Sequence, residues 1–337
     1  MRRNQNGIKL IFTCISMLAM IFDSKTAFIG ASQGVNICIY TVVPSLLPFF
    51  VFSVYMTSEL AGKRLRILQP IAAICGIPAG GEALLIMGLL GGYPIGAKCV
   101  ANSYEQGKIS RETAERLLGF CSNAGPPFIF GMMAALFSNL AAPWLLWMIH
   151  ISTAIFTGYL LPGKQKLQIS NTTNEQITFS KALLQSLKAL ANVCCWVILF
   201  RMLISFITTW FLWLFPLEIQ VMISGILELV NGCQMLRFIS SEAVRFILSS
   251  CFLSFGGICV FLQTVSVTGK LGTGMYLKGK LIQTYFSFVL SVLCSLILYR
   301  NATITSIPGI IILIIGGIIS FFLLFFTFHK KTVAFAG

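Results

Sequence analysis

Long apolar runs separated by short polar stretches recur along this chain. Residues 8–29 form the first, with Arg2, Arg3 and Lys9 at its head and only Asp23 and Lys25 within it. A second covers 35–55, includes Pro44 and Pro48, and ends at the basic loop Lys63-Arg64-Leu65-Arg66. Residues 67–97 are apolar but broken twice, at Gly76-Ile-Pro78-Ala-Gly80-Gly81-Glu82 and at Gly91-Gly92-Tyr93-Pro94-Ile-Gly96. A polar stretch, 98–116, leads into 117–138, and a turn at 139–143 leads into 144–161. Further runs cover 189–213, 219–238, 246–267, 281–299 and 305–328. A helix crosses the hydrocarbon core in ~20 residues. The pattern therefore predicts an all-α polytopic membrane protein, with about eight transmembrane helices plus two re-entrant hairpins in an inverted repeat.

The organisation follows the same pattern. An N-terminal transmembrane helix is expected over 1–34, although a cleaved signal peptide has a similar shape. A first repeat is expected over 35–161, a polar cytoplasmic linker over 162–188, a second repeat over 189–300 and a C-terminal transmembrane helix over 301–337. The repeat rests on Ile109-Ser110-Arg111-Glu112, which aligns with Ile239-Ser240-Ser241-Glu242. Cys121 likewise aligns with Cys251, at the same offset of 130 (242 less 112, and 251 less 121). Gly125-Pro126-Pro127 then falls beside Phe255-Gly256-Gly257, and Met87-Gly88 recurs as Ser224-Gly225.

Composition agrees. Hydrophobic residues make up 57% of the chain and charged ones 10%, against roughly 25% charged in soluble domains. The net charge of +14 comes from Lys and Arg in short loops, so it is read as membrane orientation rather than as a nucleic-acid surface. If both hairpins enter and leave by one face, nearly all Lys and Arg, Lys280 among them, fall inside. Only Lys25, Arg237, Arg245 and Arg300 then fall outside, with Arg201 within a span. That puts both termini in the cytoplasm. The eleven Cys residues include no CxxC pair, and there are two His. Neither a metal nor a cofactor is expected.

Candidate chemistry lies where apolar runs break. Irregular backbone at membrane depth is tolerated only where protein or a water-filled cavity satisfies it. Gly91, Gly92, Pro94 and Gly96 either expose N–H groups to a carboxylate or let helices pack closely. Tyr93 stacks on a ring or anchors at the interface, and Lys98 snorkels or binds a ligand. Asn123, with Gly125 and Pro126, contacts substrate or satisfies freed backbone. Intramembrane Glu82 and Glu228 are candidates for a coupling ion. Asn231, Gly256, Gly257 and Gln263 complete the substrate-binding set. Arg201 either pairs with Glu228 or faces an anion. His150 reads as a packed imidazole.

The run Gly91-Gly92-Tyr93-Pro94-Ile95-Gly96-Ala97-Lys98, then Gly107-Lys108-Ile109-Ser110-Arg111-Glu112, then Cys121-Ser122-Asn123-Ala124-Gly125-Pro126 resembles the YlbJ-type sporulation integral membrane proteins. These are of the nucleoside-recognition (gate-domain) group, which is similar to concentrative nucleoside transporters. The resemblance is close over 88–131 and looser over 35–60 and 219–265. It implies a membrane protein of endospore formers that lets dipicolinic acid cross the outer forespore membrane. The second half lacks the Asn-Ala-Gly-Pro of the first, and Glu82 and Arg201 have no place in the family pattern.

The expected function is thus a permease for a small carboxylated aromatic anion, most readily dipicolinic acid, by alternating access at a midplane site. A nucleoside or other small polar solute, and a non-transporting sporulation assembly subunit, are the competing readings. Expected partners are the lipid bilayer, a small anionic solute, a coupling ion and, in a homo-oligomer, further copies of the chain. No enzymatic activity is expected. Gly30-Ala-Ser32-Gln-Gly34 matches G-x-S-x-G, but no strand–turn–helix context or His and acid partners accompany it.

Overall fold

The computed structural model describes residues 2–60, 63–77, 80–163 and 177–299. The expected C-terminal helix, 301–337, and the middle of the expected linker lie outside these residues. Among the described residues all regular structure is helical. Five helices are long and apolar enough to cross a membrane. The chain is a polytopic, α-helical integral membrane protein.

Helix α1 (Arg2–Phe22) is followed by α2 (Ser24–Ile37), whose N-cap Asp23 accepts from Thr26 N–H at 3.1 Å. A π turn, Cys38–Val42, joins α2 to α3 (Val43–Leu60), and together they form one helix of 37 residues. The π turn ends two residues before Pro44, whose missing N–H and ring bulk disturb the regular ladder in the preceding turn. The break expected near residue 34 therefore falls at Asp23 instead. The Gly30…Gly34 pattern has a packing role. A Cβ on Gly30 would lie 2.8 Å from the Met202 Cα, and one on Gly34 2.8 Å from the Ile198 Cα. Small residues four apart let α2 lie against α9 (Phe179–Trp210). Helix α9 starts inside the expected linker, capped by the Thr178 hydroxyl.

Two helical hairpins follow the same plan. A short α4 (Gln69–Ile74) precedes the first, which is α5 (Glu82–Leu90) and α6 (Ile95–Glu105) around a tip at 91–94. The second is α10 (Leu217–Leu227) and α11 (Leu229–Met235) around Glu228. Arms of about ten residues reach ~15 Å, half the hydrocarbon thickness, so these elements do not count among the spans.

Each hairpin is followed by an interrupted helix. After α6, the Ser110 hydroxyl caps α7 (Arg111–Leu118). The chain then runs irregularly to Gly125 and resumes as a π and a 3-10 turn over 128–136. The expected span at 117–138 is therefore not a continuous helix, because Gly119, Gly125, Pro126 and Pro127 withdraw the ladder. The expected span at 246–267 is likewise two half-helices, α12 (Glu242–Phe255) and α13 (Gly257–Thr268). They meet at Gly256 and Gly257, whose φ values are +80° and +82°, a region open mainly to glycine.

A long apolar helix closes each half, α8 (Ala141–Leu160) in the first and α14 (Gly274–Leu298) in the second. Helix α14 packs on α7, α8 and α12, so it touches both halves. Its approach to the first interruption is close at Gly279, where an added Cβ would collide with the Gly119 carbonyl. Residue 280 follows at once.

Candidate functional site

The first hairpin tip forms because α5 stops at Gly91, Gly92 takes φ +78°, and Tyr93–Pro94 is a cis peptide that starts α6. Gly88 and Gly96 seat the arms on Cys121, since a Cβ at either would strike that residue's backbone. Gly125 sits under the tip, where its Cβ would lie 3.2 Å from the Gly92 Cα. The second hairpin meets the second interruption in the same way, with a Cβ on Gly257 falling 3.2 Å from the Gly225 carbonyl. The two systems then meet each other. Tyr93 Oη donates to the Leu253 carbonyl at 3.2 Å, and a Cβ on Gly256 would lie 3.4 Å from the Tyr93 hydroxyl.

At this meeting point stands Lys280, 1% exposed. Its Nζ donates to Gln283 Oε1 at 2.8 Å, Tyr93 Oη at 3.0 Å and Asn123 Oδ1 at 3.3 Å. It also lies 5.1 Å from the centre of the Tyr93 ring, a cation–π distance. The ion pairs Lys63–Glu59, Arg111–Glu115 and Arg245–Glu242 do not involve Lys280, and among the described residues no carboxylate bonds to it. Burying an ammonium costs several kcal/mol. Three charge-assisted hydrogen bonds satisfy its donors, but all three acceptors are neutral and leave the charge uncompensated.

Asn123, fully buried, holds this cation in place. Its Nδ2 donates to the Gly88 carbonyl at 2.8 Å and the Phe120 carbonyl at 2.7 Å. That leaves Oδ1 to receive Lys280 and, at 2.9 Å, Gln283 Nε2. Both readings of Asn123 are thus combined: it satisfies freed backbone and orients the charged group. Gln283 also donates to the His150 carbonyl at 3.3 Å.

His150 belongs to the same cluster. Ala124 N–H donates to its Nε2 at 3.1 Å, and its Nδ1 lies 3.4 Å from Ser254 Oγ. Ser254 lies 2.6 Å from Ser287 Oγ, which lies 2.9 Å from Thr153 Oγ1, and Thr153 donates to the Ile149 carbonyl at 2.7 Å.

Other expected site residues are placed elsewhere. Glu228 caps α11, where its carboxylate accepts from Val230 N at 3.1 Å, Asn231 N at 2.7 Å and Asn231 Nδ2 at 2.6 Å. Arg201 forks onto Gln33 of α2, with Nε at 3.0 Å, rather than onto Glu228. Glu82 is buried at the start of α5 and takes Gly80 N–H at 2.8 Å. Gln263 donates to Cys259 Sγ at 3.3 Å on its own helix. Lys98 is half-buried on α6, and Pro126 half-buried beyond the first interruption. Of the expected set, Tyr93, Asn123 and the tip glycines converge with Gly256. Lys280, Gln283 and His150 complete the cluster, and the sequence reading gave none of them a site role.

The chain is 32% identical over 149 residues to the sporulation integral membrane protein YlbJ of Bacillus subtilis (strain 168), a match covering 43% of this chain and 35% of that protein. The chain thus spans about a third of the length of the curated relative it matches. No family model and no solved structure matches it. The likeness supports the YlbJ-type assignment that the motifs imply.

Proposed function

We propose, from the YlbJ-type likeness and the buried cluster, that this chain is a permease for a small carboxylated aromatic anion, and that it is not an enzyme. One observation carries the reading. Lys280 is a buried ammonium with neutral acceptors only, set where the interruptions of both halves meet. An anion supplies the missing charge, and it does so in a medium of low dielectric where the gain is largest. Tyr93 offers a ring face beside it, which suits an aromatic acid.

Dipicolinic acid, two carboxylates on one flat ring, is the substrate proposed, and sporulation the setting, after the name of the Bacillus subtilis relative. The membrane proposed is the bacterial cytoplasmic membrane, in a spore former the outer forespore membrane, with cytoplasmic termini. Rocking of one half against the other would open the cluster to each face in turn. The lipid bilayer, a coupling ion and further copies of the chain in a homo-oligomer are its proposed partners.

A second reading, a nucleoside or other neutral polar solute, draws on the amides of Asn123 and Gln283 and the Tyr93 hydroxyl. Flux into liposomes holding the purified protein separates the two. Dipicolinate uptake abolished by Asn123→Leu supports the first reading, and uridine uptake the second. Absence of both leaves a membrane assembly subunit.

A further inference from the structure

We propose that the coupling ion is a proton and that His150 Nε2 is the atom that takes it. This rests on the permease reading and deepens it.

The hydrogen-bond directions in the cluster are fixed by counting protons. Thr153 gives its one hydroxyl proton to the Ile149 carbonyl, 2.7 Å away, so it accepts from Ser287. Ser287 therefore accepts from Ser254, and Ser254 accepts from His150 Nδ1–H. Ala124 N–H points at Nε2, which must then carry a lone pair. The imidazole is neutral, and each nitrogen holds one interruption: Nε2 the first, through Ala124, and Nδ1 the second, through Ser254. Protonating Nε2 leaves the Nδ1 bond in place. It removes only the acceptor of Ala124 N–H and so releases the hold of the imidazole on the first interruption. A single proton thus acts on the contact between the halves.

The carboxylates offered by sequence make no hydrogen bond to this cluster. Glu228 is consumed by three donors at the head of α11, and Glu82 takes the Gly80 N–H on Oε2 and leaves Oε1 without a partner.

Charge balance ties the proton to the substrate. The cation linked to His150 is Lys280 of α14, which donates to Gln283 at 2.8 Å while Gln283 donates to the His150 carbonyl at 3.3 Å, with the Tyr93 hydroxyl beyond it. Helix α12 carries Ser254 and Cys251 near this level, its Glu242 and Arg245 lying at its far end. The loop before Asn123 brings Cys121. The π turn 128–133 and α4 carry no ionisable side chain. An empty cluster would have to hold two like charges if His150 were protonated. A bound dianion offsets both, so proton and dianion enter together and leave together.

The test uses proteoliposomes of the full chain with radiolabelled dipicolinate, the voltage clamped at zero by potassium and an ionophore. One-proton coupling drives about a tenfold dipicolinate gradient per pH unit. His150→Gln is expected to slow counterflow, flatten its pH profile and bring the driven gradient to about one. Ser254→Ala keeps the Ala124 bond and is expected to keep the drive with a displaced pH midpoint. Accumulation driven by sodium and not by pH, or a pH-driven gradient that survives in His150→Gln, overturns the proton site while leaving the permease standing. Wild-type protein without any dipicolinate counterflow overturns the permease, and this proposal with it.

Discussion

A lysine decides the chemistry here, and the sequence conceals it. Lys280 follows Lys270 and Lys278 and precedes an apolar run, so by pattern it is a loop charge and it counts toward membrane orientation. In the structure α14 starts at Gly274, which carries residue 280 more than one turn into the helix, and Gly279 brings that turn against Gly119. Hydropathy reports runs of residues and not the close approach that a single glycine allows. Asn123 and Tyr93 were legible because they stand among helix breakers, where polar groups have few innocent uses. Lys280→Met should fold, since it removes an unpaired buried charge and its main cost is the stranded Gln283 Oε1, about 1–3 kcal/mol. Dipicolinate affinity should fall by about 10- to 150-fold, the worth of a charge-assisted hydrogen bond of 1.5–3 kcal/mol. Titration calorimetry and a thermal melt on the same sample check both halves of that expectation.

At the scale of elements, the interrupted helices were partly legible. The hairpin and the glycines of each half mark the breaks, yet 117–138 and 246–267 are long and apolar enough to read as plain spans. Hydropathy averages over the two or three residues that end a ladder. Gly256→Ala places a side chain at φ +80° and 3.4 Å from the Tyr93 hydroxyl. It should cost ~1–2 kcal/mol from the backbone alone, read as a lower melting temperature.

The free ends of the interrupted helices are also tied across the halves. Glu115 of α7 accepts from Gly272 N–H at 2.8 Å, and Arg111 donates to the Lys270 carbonyl at 3.3 Å. Reciprocally, Glu242 of α12 accepts from Ser138 N–H at 3.1 Å. Arg111 beside Glu115 holds its carboxyl below the usual carboxylate range. A carboxyl lowered in this way contributes stability that is complete above its free value of 4.5 and lost as pH falls through the lowered one. The protection factor of the Gly272 amide against hydrogen exchange should therefore fall in acid. Glu115→Gln should lower it at neutral pH and remove the acid dependence.

For the whole molecule, the membrane class was plain from composition, and the order hairpin, interrupted helix, long helix repeats in both halves. Counting spans from hydropathy gave about eight. The structure gives five among the described residues, with α12 and α13 counted as one; of the others, 117–138 is interrupted, 8–29 divides at Asp23, and 305–328 lies outside those residues. The ties at Glu115 and Glu242 join opposite ends of the interrupted helices, as an inverted repeat requires. Cysteines at Lys108 and Ser138 should accordingly react with an impermeant maleimide from opposite sides of sealed vesicles. Labelling of both from one side would remove the inverted architecture.

The central claim is that an anion sits on Lys280 between the two interruptions, and a structure solved with dipicolinate bound tests it most directly. The account expects a carboxylate oxygen within about 2.7–3.2 Å of Lys280 Nζ, displacing Asn123 or Gln283, with the ring beside Tyr93. A ligand bound elsewhere, with Lys280 still held by Tyr93, Asn123 and Gln283, would contradict it.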